Sequence, residues 1–61
     1  MRRTYELYLH HPRGQREFVV LTCHHAEVIT RAGEILRASE AVRAEICEAG
    51  QPLYTIDRES R

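Results

Sequence analysis

The clearest periodicity in the chain lies between Thr22 and Ser39. Val28, Ile29, Ala32, Ile35, Leu36 and Ser39 recur there at intervals of three and four, and Glu27, Arg31, Glu34 and Arg37 fall between them. That spacing predicts an amphipathic helix over 22–39, with one apolar stripe that another element must cover. Thr22 is placed to cap it through its hydroxyl, and Glu27 and Arg31 form a favourable i, i+4 pair. Gly33 costs about 1 kcal/mol relative to Ala inside a helix, a cost that a close approach to a sheet would justify.

Period two replaces this pattern on both sides. Tyr5, Leu7 and Leu9 alternate with Glu6, Tyr8 and His10, which predicts a half-buried strand. His11-Pro12-Arg13-Gly14 is turn chemistry, and a second strand follows over 15–21. Leu7 then faces Phe18 or Val19, according to whether the loop holds four residues or three. Beyond the helix, Val42, Ala44 and Ile46 alternate with Arg43, Glu45 and Cys47, predicting a third strand over 41–48. Glu48-Ala49-Gly50-Gln51 turns the chain, Pro52 starts a fourth strand over 53–57, and residues from Arg58 onward are expected to fray. The competing assignment for 40–49 is a second helix capped by Ser39 and stopped by Gly50 and Pro52.

The hairpin covers the helical stripe better, because two adjoining hairpins make one sheet with a face for the helix. The expected fold is therefore α+β: a single domain over 1–61 in the order ββαββ, one four-stranded antiparallel sheet with the helix on one face, with ββααβ as the alternative. The other face of the sheet would carry Glu6, Tyr8, Arg43 and Glu45.

Composition narrows the setting. Sixty-one residues lie near the lower limit for an unaided core, since a domain this small buries only roughly 60% of its unfolded surface, which makes a homodimer a natural expectation. Zero formal net charge argues against nonspecific attraction to nucleic acid. All nine basic residues are Arg, as expected of a GC-rich bacterial genome. Two cysteines make no disulfide framework, no signal peptide precedes the first strand, and the longest apolar run, Phe18 to Leu21, cannot span a bilayer. The expectation is a reduced cytoplasmic protein with no membrane association.

The stretches YELYL, HHAEVITRAGEIL and VRAEICEAGQPLYTI, taken in that order, resemble a bacterial family of very small uncharacterised alpha-plus-beta proteins, a domain of unknown function. The resemblance covers most of the chain and implies the fold. It transfers no catalytic residue.

Candidate chemistry centres on His10-His11, on His24-His25 and on Cys23, because imidazole and thiolate are zinc ligands. The two histidine pairs fall at opposite ends of the first hairpin, and neighbours in a strand point to opposite faces, so no metal site and no cofactor is expected within one subunit. Cys23 in the first turn of a helix would have its thiolate stabilised by the helix dipole, which is the basis of a metal- or redox-responsive alternative. Catalysis is not expected, since one helix on one sheet offers little scaffold for a substrate pocket. Small sheets can bind RNA through aromatic side chains, and Tyr8 and Tyr54 with Arg16 and Arg43 could form such a platform, but Glu6 and Glu45 flank it. The same four residues, Tyr8, Arg16, Arg43 and Tyr54, suit a protein interface better. The expected function is a non-catalytic interaction module that forms a homodimer or binds another protein, with RNA or DNA binding as the alternative.

Overall fold

A computed structural model describes residues 1–58. Four strands and one helix follow the order ββαββ: β1 (Arg2–His10), β2 (Arg16–His24), a short 3-10 turn (His25–Glu27), α1 (Val28–Ala38), β3 (Arg43–Glu48) and β4 (Gln51–Asp57). The sheet is wholly antiparallel with strand order β2-β1-β3-β4. The first strand of the chain thus lies in the interior of the sheet. Its alternation is the strictest of the four, and Tyr5, Leu7 and Leu9 are all but inaccessible to solvent. β2 and β3 flank it and run parallel to one another, so the helix serves as the crossover that a parallel pair requires.

The core is a single layer between α1 and one face of the sheet. Val28, Ala32 and Leu36 from the helix meet Tyr5, Leu7, Leu9, Cys23, Ala44 and Ile46 from the strands, with Ala41 closing one end. The stripe read from the sequence is correct in phase and too long at its start. Thr22, Cys23 and His24 continue β2, opposite Thr4, Arg3 and Arg2, because β1 offers them ladder partners that a helix would forfeit. Thr22 therefore caps no helix; its hydroxyl lies 3.2 Å from that of Thr4. Ile29 is exposed, and Gly33 makes no close approach to the sheet, since a methyl group there would meet only the far end of Arg37. Residues 40–49 form no second helix. Ala44 and Ile46 fill the positions beside Leu9 and Leu7. Ala41, rather than Val42, is the buried residue of the connection, and Val42 points outward while its N–H donates to the His10 carbonyl at 2.8 Å.

Both hairpins turn as their sequences require. The first uses a three-residue loop in which Gly14 N–H donates to the His11 carbonyl at 3.0 Å and Gly14 takes φ 86°, so Leu7 faces Val19. The second is a two-residue turn with positive φ at both centres, Ala49 at 51° and Gly50 at 80°. An L-residue with a Cβ pays roughly 1 kcal/mol for that conformation, and Asn adopts it more readily. Ala49→Asn should raise stability by about 0.5–1 kcal/mol, a gain that denaturant titration would resolve.

Arg58, the last of the described residues, is anchored. Arg58 N–H donates to the Val42 carbonyl at 2.9 Å, and its guanidinium reaches the carbonyls of Leu36, Arg37 and Ser39. The expected fraying from Arg58 onward is corrected at Arg58 itself, and the rest of that stretch, 59–61, lies outside the described residues. Among the described residues no helix is long and apolar enough to cross a membrane.

Candidate functional surface

Strand register assigns every side chain to a face. Tyr5, Leu7 and Leu9 face the helix, and so do Glu17, Val19, Leu21 and Cys23 opposite them. The open face carries Thr4, Glu6, Tyr8 and His10 from β1, Arg16, Phe18, Val20 and Thr22 from β2, and Arg43, Glu45 and Cys47 from β3.

Three of the four residues expected to form one surface share this face: Tyr8, Arg16 and Arg43. Tyr54 does not. A bulge between the pairs Cys47–Pro52 and Ile46–Tyr54 inserts Leu53 and shifts the register by one. A one-residue slip turns a side chain to the opposite face, so Tyr54 lies on the helix side, with its ring 6.4 Å from that of His25. Arg43 is already occupied: its Nε donates to Asp57 at 2.8 Å, and that hydrogen bond, followed by the charge of Asp57, raises its pKa further above the ordinary guanidinium value. The aromatic platform for bases thus loses one ring and one free cation, while Glu6 and Glu45 remain on the same face.

In its place β2 presents an apolar margin. Phe18 is 54% exposed and Val20 58%, and the Phe18 ring packs at 5.3 Å and a 50° tilt against half-buried Tyr8. Neither Phe18 nor Val20 is among the four residues expected to form the surface. The signal was the run Phe18-Val19-Val20-Leu21, which is apolar on both faces of a strand. A strand buried on one side alternates; one that does not has a second apolar face to account for.

The histidines and cysteines do not converge. His10 Nε2 is 2.9 Å from Glu45 on the open face, and His11 Nε2 is 3.1 Å from Glu17 at the hairpin end. His24 Nδ1 is 3.4 Å from the chain's amino group, and His25 Nδ1 is 3.0 Å from the Tyr5 hydroxyl. Among the described residues no group of three or more His, Cys, Asp or Glu is arranged to hold a metal ion. Cys23 sits in the β2 ladder, buried and facing the core, and not in the first turn of a helix, so the dipole argument for its reactivity has no structural basis. Burial raises the Cys47 thiol pKa, and the nearby charges of Glu45 and Glu6 raise it further, which favours the unreactive protonated form. Burial raises the Tyr5 phenol in the same way, with Glu48 adding to the effect.

No known family, curated protein or solved structure matches this chain. Its own geometry therefore carries the functional argument. A depression beside the first hairpin, lined by His11, Pro12, Arg13, Gln15 and Glu40, offers no Ser, Thr or Cys nucleophile. After Met1, Val20 and Phe18 on β2 are the most exposed large apolar side chains among the described residues.

Proposed function

We propose that this chain is a non-catalytic protein-interaction module that self-associates through the margin of the sheet formed by β2. The observation that carries this reading is the exposure of Phe18 and Val20 side by side on an outer strand, next to Tyr8. Fully burying such a side chain is worth about 1.5–3 kcal/mol, a large fraction of what a domain of this size has to spare. Arg16 and His10 border the patch, matching the polar rim and apolar centre of protein interfaces. The proposed setting is a reducing cytoplasm, where Cys23 and Cys47 remain the free thiols that the fold contains.

Sedimentation equilibrium on untagged protein tests the reading. The wild-type chain should associate with a dissociation constant in roughly the micromolar range, and Phe18→Ser/Val20→Ser should weaken association at least about tenfold while leaving the far-ultraviolet circular dichroism unchanged. A wild-type chain that stays monomeric to millimolar concentration would overturn it.

A further inference from the structure

The two edges of the sheet differ in what they leave open. β4 is interrupted at its start: Pro52 has no N–H, and the bulge at Leu53 breaks the regular spacing. Such features keep an edge from pairing with another strand. β2 has none of them. It runs for nine residues, Arg16–His24, without Pro, Gly or a bulge, and it is rich in β-branched and aromatic residues. Its ladder phase follows from the loop, where His11 N–H donates to the Gln15 carbonyl at 2.8 Å. Alternation from that bond turns the odd-numbered residues of β2 toward β1. The N–H and C=O groups of Arg16, Phe18, Val20, Thr22 and His24 therefore point along the free edge, and among the described residues no backbone group from another element meets them.

We infer that the partner of this edge is a second copy of the same chain, paired antiparallel through β2 about a two-fold axis at Val20, to give a continuous eight-stranded sheet. This rests on the self-association reading above and specifies its geometry. The nine-residue strand is self-complementary in that register. Val20 faces its symmetry mate, and Phe18 faces Thr22 of the partner subunit on the open side. On the helix side, half-buried Val19 faces Leu21 of the partner subunit, closing an apolar seam between the two helices. At the ends, Arg16 meets His24 of the partner subunit and Glu17 meets Cys23 of the partner subunit, so no carboxylate opposes a carboxylate and no guanidinium opposes a guanidinium. Moving the axis one residue either way shortens the ladder by two pairs and leaves outward-facing main-chain groups unmet. Both faces of β2 are apolar, and edge pairing is the arrangement that uses both at once.

Cysteine cross-linking tests the register in a Cys23→Ala/Cys47→Ser background, with each variant also sedimented under reducing conditions. A residue facing its own symmetry mate in a hydrogen-bonded pair has a Cα separation of about 5.5 Å, within the range a disulfide spans. Val20→Cys should oxidise to a covalent dimer at least about tenfold faster than Phe18→Cys or Thr22→Cys alone, whose mates lie about four residues away along the strand. A mixture of the Phe18→Cys and Thr22→Cys chains should form the mixed dimer readily. Dimers that sediment normally but show no preference for Val20→Cys would overturn the edge pairing and leave self-association standing. Monomers at every concentration would overturn both.

Discussion

Leu7→Ala should lower the melting temperature by roughly 20 °C. Leu7 is fully buried at the middle of β1, opposite Val19 on one side and Ile46 on the other, beneath Val28 and Ala32 of the helix. It is the residue through which β2, β3 and α1 are held on one strand. Leu→Ala changes in cores cost about 2–5 kcal/mol, because the lost transfer energy is joined by an imperfectly collapsed cavity. A 61-residue domain has only about 3–9 kcal/mol in total. In a domain this small each kilocalorie moves the midpoint by about 4–8 °C, so a loss near 3 kcal/mol gives the expected shift. Leu53→Ala is the contrast: the same chemical change at a bulged, exposed residue of β4 should stay within about 0.5 kcal/mol of the wild type. Thermal melts at one fixed protein concentration check both, since dimerisation makes the midpoint concentration-dependent. Equal effects at the two sites would contradict this division between core and margin.

Arg58→Ala should cost about 2 kcal/mol. The guanidinium Nη2 lies 3.1 Å from the Leu36 carbonyl, 3.1 Å from that of Arg37 and 2.6 Å from that of Ser39. These are groups at the end of α1 that the helix itself leaves short of donors. Ser39 supplies the remaining closure, its N–H and hydroxyl both donating to Leu36 and its oxygen accepting from Ala41 N–H. A cation at a helix C-terminus also meets the negative end of the dipole. Charge-assisted bonds are worth about 1.5–3 kcal/mol each when fully desolvated, and partial exposure to water reduces the sum here. Arg58→Lys, whose ammonium also presents several donors from one nitrogen but on a shorter side chain, should recover part of the loss. Melting curves read the stability, and ellipticity at the helix minimum reads whether the last turn of α1 loosens. A variant as stable as the wild type would mean that water serves those carbonyls equally well.

Such effects separate what is written locally from what is written across the chain. Tyr5, Leu7 and Leu9 announce β1 through their alternation, and Pro12 with Gly14 and Ala49 with Gly50 announce the two turns, because each depends on the conformational preferences of a few consecutive residues. The stripe Val28, Ala32, Leu36 likewise identifies the helix face. The open face was legible in part: Tyr8 and Arg43 fall on it by the alternation of β1 and β3, whereas Arg16 joins them because the three-residue loop pairs Leu7 with Val19, a register the sequence left open. Phe18 and Val20 were visible as an apolar run, but their importance depends on β2 being an edge, and strand order is a matter of long-range pairing.

By itself, the sequence determined the strand β1, the apolar face of the helix, the two turns and the sides of β1 and β3 that face the helix, and it favoured ββαββ over ββααβ, since local periodicity and turn chemistry reach that far. The tertiary structure decided which face of β2 meets the helix, by pairing Leu7 with Val19. It decided where β2 yields to α1, because Thr22 to His24 have partners in β1 that a local pattern cannot reveal. It decided the face of Tyr54, because one inserted residue, Leu53, reverses every parity beyond it. It also decided that Arg58 closes the helix some twenty residues before it in the chain, a bond that exists only once β4 has been laid beside β3.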